Sequence, residues 1–271
     1  MKKIINRLLG NILLYILPNK KKVYNFSKIL VNRYNNNRNW KPHKNGEFNI
    51  LKKFLLSNID DKIFFDIGCN VGEFTKYLLD NNYNDKIYLF DAINSLDKSI
   101  VENDKVKFSK ILFWDKHERL KFNVNKNEKN SGHNSIFDMN KIGYTAHNDK
   151  LEVNSSTLDY FIQENNIKKV DYLKIDTEGS EYRILKGASN NLKKKIFKFI
   201  HLEYGHAAMA DRVYIKDIYD LLCPLGMNMY AITPNGLRKL DYSPYLENEY
   251  DFINLFFCSE KNLRLLDINP E

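Results

Sequence analysis

The sequence predicts an α/β fold, a mostly parallel sheet with helices on both faces. Two observations carry the prediction. From residue 47 onward, short apolar runs alternate with helical stretches of roughly 8 to 15 residues, the pattern of repeated βα units. Four of the apolar runs also end on an acid: Asp66, Asp91, Asp176 and Glu203. In an open parallel sheet the ligand sits outside the carboxyl ends of the strands, so these carboxylates mark one candidate binding rim. With 271 residues, 43% of them hydrophobic, the chain can bury one ordinary domain and still carry an appendage.

The appendage comes first. Residues 1–50 read as a basic, amphipathic helical extension ahead of a domain over 51–271. Apolar side chains fall at 4, 5, 8, 9, 12, 13, 16 and 17, with Lys2, Lys3, Asn6, Arg7 and Asn11 opposite. Pro18 ends the stripe, and Lys20, Lys21 and Lys22 follow. The longest unbroken apolar run, ILLYIL, is too short to span a bilayer, and the stripe has no small-residue cleavage site. Two readings stay open: peripheral contact with an anionic membrane through residues 1–22, or packing on the chain's own domain or a second subunit. Residues 1–53 carry a net charge of +12 and the remainder −4, so the domain lacks the basic surplus that nucleic-acid binding would use. Cys69, Cys223 and Cys258 have neither disulfide nor zinc spacing, which predicts a reducing, cytoplasmic setting. The run Asn35, Asn36, Asn37 reads as compositional bias without functional content.

Within the domain each element has its own signal. FNILKKFLLSN is helical. KIFFDIG is a strand, GEFTKYLLDN a helix and KIYLFDA a strand, with a short helix near NSLDKSIVEN. KVKFSKILFW and KHERLKFNV are extended, and a polar loop runs from Asn125 to Asp149. LEVNSSTLDYFIQEN is a strand followed by a helix; VDYLKID is a strand, and GSEYRILKGA is a helix stopped at Gly187. FKFIHLEY, VYIKDIYDLLCPLG, MNMYAIT and NLFFCSE complete the chain as strand, helix and two strands, with a Pro-Asn-Gly turn at 234–236.

The loop in FFDIGCNVGEF, residues 64–74, shows what the rim selects. A dinucleotide loop would read G-x-G-x-x-G, with the pyrophosphate on the helix N-terminus. Here Asn70 stands between Gly68 and Gly72, and Asp66 and Glu73 flank the loop. A pyrophosphate would meet two like charges, each costing on the order of a kcal/mol in a partly buried cleft. A ligand with an ammonium and a sulfonium would be attracted. S-adenosylmethionine has both, and its ribose hydroxyls suit Asp91 at the end of the next strand. The plainer alternative is a strand-to-helix turn in which glycine supplies positive φ and Glu73 complements the helix dipole.

Residues 171–188, DYLKIDTEGSEYRILKGA, put Lys174 and Asp176 on one strand face. Glu178 and Glu181 fall near the start of the next helix, where negative charge is favourable. Together with FFDIGCNVGEF this segment resembles the FkbM family of S-adenosylmethionine-dependent methyltransferases. That family pairs a D-x-G-x-N-x-G loop with a K-x-D-x-E-G-x-E-x-x-x-L-x-G-A segment. The resemblance covers about residues 60–260. It implies a Rossmann-like class I methyltransferase sheet of about seven strands, the last antiparallel, and O-methylation, with sugar and polyketide hydroxyls among the family's acceptors. Carried over, it places cofactor contacts at Asp66, Gly68, Asn70, Gly72, Glu73, Asp91, Ala92 and Asp176. The family has Glu-Pro after the second strand; Asp91-Ala92 keeps the carboxylate on a shorter arm.

Methyl transfer to a hydroxyl needs in-line geometry and a base or metal to take the proton. Asp176 is the first candidate for base or metal ligand, followed by Glu203 and His206, and Lys174 would neutralise the acids. Oxygen ligands such as Asp176 and Glu203 suit Mg²⁺ or Ca²⁺. The expected acceptor is a small molecule or glycan, carrying a carbohydrate, glycolipid or natural-product hydroxyl. Residues 130–137 either close over the site or form a surface loop; Phe113 and Trp114 either meet the adenine or belong to the core. Three rivals stand against this reading. A protein or nucleic-acid methyltransferase would use an Asn/Asp-Pro-Pro-aromatic signature, absent at Asp176-Thr177-Glu178-Gly179. A nicotinamide oxidoreductase would want the middle glycine. A membrane-targeted module without catalysis would need only the arm.

Overall fold

The computed structural model of the chain describes residues 8–12, 15, 19–125, 132–143 and 147–271. Most of the apolar stripe over 1–17 thus lies outside the described residues; residues 8–12 are helical. Helix α1 (Lys20–Tyr34) begins where the Asn19 side chain accepts from the Lys22 N–H at 3.0 Å. None of its residues is buried, and Tyr24, Phe26, Ile29 and Leu30 stand in water beside Lys20, Lys21, Lys22 and Lys28.

The asparagine run after α1 is structural, not mere compositional bias. Asn36 Nδ2 donates to the carbonyls of Asn45 (2.7 Å) and Ile232 (3.1 Å), and Asn37 Nδ2 to the Glu249 carbonyl (2.7 Å). Arg38 pairs with Asp251, and Arg238 donates to the Tyr34 carbonyl at 2.8 Å. These bonds fasten the end of α1 to the body.

The body follows as α2 (Glu47–Leu56), β1 (Ile63–Ile67), α3 (Glu73–Asp80), β2 (Lys86–Asp91), β3 (Val106–Lys110), β4 (Leu112–Phe113), β5 (Arg119–Val124) and β6 (Asp149–Ser156). Then come α4 (Leu158–Glu164), β7 (Val170–Ile175), α5 (Glu181–Lys186), β8 (Phe197–Tyr204), α6 (Ile215–Leu222), β9 (Asn228–Thr233), β10 (Gly236–Leu240) and β11 (Ile253–Cys258). The main sheet has the order β10-β9-β11-β8-β7-β1-β2-β3. β3, β2, β1, β7 and β8 are parallel, and β11 is antiparallel to both its neighbours. The expected antiparallel last strand is therefore β11. The sheet reaches eight strands because a tight turn folds β10 back on β9. Its sequence, GLRKL, breaks the strand alternation with two adjacent cations, so it does not announce itself. β4, β6 and β5 form a second, three-stranded sheet.

Side-chain alternation splits the core in two. Phe65, Phe90, Leu173, Ile200 and Leu202 face one layer, with residues of α4, α5 and α6; Phe64, Leu89, Tyr172 and Phe199 face the other, with α2 and α3. Every residue of β7 is buried, two charges included. Asp171 lies at the amino end, where Lys169 and Lys198 and the Ile63 N–H satisfy it. Lys174 lies near the other end, at the rim.

Candidate functional site

β1 has β2 on one side and β7 on the other, so the chain leaves it in both directions and opens a crevice at the carboxyl ends. The first wall is the loop after β1. Gly68 has φ +81°, and a Cβ there would stand 1.8 Å from the Asp176 carbonyl oxygen, so only glycine fits. The Gly68 and Cys69 N–H groups donate to the Phe90 carbonyl. Asp91 accepts the Asn70 N–H on Oδ2 and the Ile93 N–H on Oδ1, each at 3.0 Å. Burial raises the Asp91 carboxyl above its ordinary value against the pull of these bonds.

The second wall is the turn after β7. Its form is set by Glu181, whose carboxylate accepts from the Thr177 N–H (2.8 Å), the Thr177 hydroxyl (3.0 Å) and the Gly179 N–H (3.0 Å). This does more than favour a helix end: it holds Glu178 at φ +56° and turns it into the crevice. Burial pushes Glu181 up to about 7. Gly187 caps α5, but at φ −68° it is no left-handed stop. A Cβ there would lie 2.1 Å from the Trp114 carbonyl, so close approach is what requires glycine.

Of the residues anticipated as cofactor contacts, Gly68, Asn70, Asp91, Ala92 and Asp176 line this cleft. Asp66, Gly72 and Glu73 do not. Asp66 is 1% exposed beneath it, with Lys174 Nζ 3.6 Å away. Gly72 packs on Leu96 and Ile100, and Glu73 points to water from the first turn of α3. The flanking acids proposed for the loop are thus replaced by others: Asp91, Asp176 and Glu178 are the charged lining groups, and no lysine or arginine joins them among the described residues. Phe90, Phe113 and Ile136 supply apolar wall. Trp114 instead packs on Phe137 and under Arg183.

Lys174 Nζ donates to Asp176 at 2.9 Å and lies 4.4 Å from the Phe74 ring centre. Burial alone would lower the Lys174 ammonium; Asp176 and Asp66 more than reverse that. Burial works to raise Asp176, but Lys174 and further favourable partners carry it below its ordinary value. His201 is buried behind the rim, with Tyr172 Oη at 3.0 Å and Glu47 Oε1 at 3.1 Å.

A second cleft adjoins the first. Arg38, Trp40, Glu178, Glu203, His206 and Phe252 are among its lining, so Glu178 belongs to both clefts. Carboxylate oxygens of Asp176, Glu178 and Glu203 lie within 4.8 Å of one another. This is an oxygen donor set of the kind Mg²⁺ or Ca²⁺ takes. Burial, with Asp176 and Glu178 nearby, drives Glu203 well above the usual carboxylate range. Residues 130 and 131 lie outside the described residues, but the rest of the 130–137 segment closes over the site. Ser135 is fully buried and its hydroxyl donates to the Glu178 carbonyl at 2.7 Å; Gly132, Asn134 and Ile136 line the first cleft.

Trp40 and Phe252 escaped sequence reasoning, and Glu178 was read only as helix-end charge. Glu178 had a signal, two residues beyond Asp176 in the same turn, but its positive φ is set by Glu181. Nothing local in the sequence ties Trp40 to this rim.

No curated protein matches the sequence. A solved structure, "a putative hemolysin from Lactococcus lactis", is 15% identical over 82% of this chain and 93% of its own, with a TM-score of 0.39, a likeness that carries no argument here. The model of the methyltransferase FkbM domain matches residues 10–229. With that match spanning most of the chain, and with the mostly parallel sheet and rim cleft described above, the protein belongs to the FkbM methyltransferase family.

Proposed function

We propose that the chain transfers a methyl group from S-adenosylmethionine to a hydroxyl of a carbohydrate or glycolipid acceptor. The observation that carries the cofactor is the charge of the first cleft: three carboxylates line it and, among the described residues, no ammonium or guanidinium does. Such a cleft repels a pyrophosphate and attracts a sulfonium and an ammonium. Asp91, fixed by two backbone N–H groups, is the partner for the ribose hydroxyls. Phe90, Ala92 and Phe113 give the adenine its apolar walls, and Asp176 and Glu178 face the cationic end. When bound, the cofactor supplies an electrophilic methyl group.

The chain's own work is to place and deprotonate the hydroxyl. Glu203, once it has given up its own proton, is the stronger base of the two, because burial and the neighbouring acids raise it while Lys174 lowers Asp176. It lines the second cleft, whereas Asp176 is held by Lys174 as a stable carboxylate, which makes it a weak base. His206 lines the same cleft and can pass the proton on. Asp176 then serves in binding, attracting and orienting the cationic end of the cofactor.

Among the described residues no helix is long and apolar enough to cross a membrane. The exposed apolar residues of α1, set among lysines with no acid in its first turn, support attachment to an anionic lipid surface. Calorimetric titration with S-adenosylhomocysteine and separately with NAD tests the cofactor. Micromolar binding of the first alone is expected; binding of NAD alone would overturn the assignment.

A further inference from the structure

The second cleft contains an aromatic surface that the fold does not use. Trp40 is 66% exposed, so its indole face is open to a ligand. Its backbone is not loose. Asn36 and Asn37 anchor the preceding residues to body carbonyls, Arg38 is held by Asp251 at 2.7 Å, and Asn39 Nδ2 donates to Asn36 Oδ1 at 2.8 Å. The ring is therefore offered from a fixed strap. Phe252 lines the same cleft.

Resting on the methyltransferase reading above, we propose that Trp40 and Phe252 form the stacking wall of an acceptor subsite for a neutral sugar ring. Three features select that chemistry. The wall is aromatic, suited to the apolar C–H face of a pyranose. The polar groups across the cleft include Glu178, with His133 Nδ1 3.8 Å from it, Glu203 and His206, which can bond several hydroxyls at once. The only guanidinium or ammonium among the described lining residues is Arg38, already paired with Asp251, so a phosphate or carboxylate on the sugar would find two carboxylates and no unclaimed cation. Glu178, shared by the two clefts, brings the acceptor hydroxyl beside the methyl donor.

The chain has two tryptophans, and Trp114 is buried, so Trp40 is the one that acrylamide reaches. Methyl glycosides of glucose, galactose, mannose, rhamnose and fucose would be titrated into the full chain while quenching by acrylamide is followed. At least one glycoside is expected to shield Trp40, with shielding lost in Trp40→Ala. The glycoside's apparent Kd, read by calorimetry, should rise about tenfold in Trp40→Ala and recover in Trp40→Phe. S-adenosylhomocysteine affinity should be unchanged in both variants. Shielding by none of the sugars, or by a planar phenol instead, would overturn the proposal. So would unchanged glycoside affinity in Trp40→Ala. Shielding would be read both with and without S-adenosylhomocysteine, so failure of that ligand to bind would remove the cofactor reading and leave the sugar test standing.

Discussion

Replacing Lys174 with methionine should expose how the rim is held together. The ammonium is nearly inaccessible and stands 2.9 Å from Asp176 and 3.6 Å from Asp66. Asp66 Oδ1 is buried and accepts no hydrogen bond among the described residues, so Lys174 is its compensation. Methionine keeps the stem and the contact with Phe74 but leaves two carboxylates facing each other. Removing one partner of a buried ion pair costs about 3–5 kcal/mol. At roughly 2–4 °C per kcal/mol for a chain near this size, melting should fall by about 6–20 °C. The pH dependence follows from the signs. In the native protein Asp176 is lowered, so its contribution is present above the unfolded carboxyl value near ~4 and is lost as pH falls through its folded value. Burial already raises Asp66 in the native protein; in Lys174→Met Asp176 is raised as well and Asp66 further, so protonation favours the folded state and stability is lost as pH rises. The gap between the two proteins should shrink from pH 8 toward pH 5, and adding Asp66→Asn should recover at least half of the loss. Thermal melts across that range decide it. A gap below about 1 kcal/mol at pH 8, or one that widens in acid, would refute the reasoning.

Three further outcomes follow from the same geometry. Glu181→Gln presents an amide N–H₂ to donors that now meet carboxylate oxygens; it should cost about 2–3 kcal/mol in denaturant melts and weaken S-adenosylhomocysteine binding through the 177–180 turn. Chelation with EDTA should leave methyl transfer intact, because Lys174 already offsets the acid cluster; loss of activity restored by Mg²⁺ would assign Asp176, Glu178 and Glu203 to a cation. The chain should float with vesicles containing phosphatidylserine but not with phosphatidylcholine alone, and Phe26→Asp/Leu30→Asp should abolish flotation; equal binding to both lipids, or none, would remove α1 from a membrane role.

How much of this was readable depends on which interaction fixes each residue. Asp91 and Asp176 were legible because strand ends are set locally, by apolar runs meeting a glycine loop or turn. Asp66 was misplaced for a physical reason. Its neighbour across the sheet is Lys174, and the register of β1 against β7 is a long-range fact that neither strand states. The same holds one strand further, where Lys174 lies opposite His201. Glu178 was seen and undervalued, because its orientation comes from a carboxylate three residues ahead. The asparagine run looked like bias because its partners, the carbonyls of Ile232 and Glu249, are some two hundred residues away.

The register also changes what Asp66 does. It lies under the cleft and reaches a ligand only through Lys174, which divides its charge between Asp66 and Asp176. If Asp66 is neutralised, Lys174 is left to Asp176 alone and cancels more of the negative charge that faces the cleft. The loss should fall on ligands that carry positive charge near Asp176. S-adenosylmethionine has the sulfonium and S-adenosylhomocysteine does not, so Asp66→Asn should weaken the first several-fold more than the second. Asp91 is different: it lines the cleft itself, beside the loop, and the ribose is common to both ligands. Asp91→Asn should therefore weaken both alike, by about tenfold for one charge-assisted hydrogen bond. Calorimetry on the two variants with the two ligands separates these roles. Equal losses for both ligands in Asp66→Asn would mean that Asp66 acts by shaping the loop, and that the charge of the cleft does not depend on how Lys174 is shared.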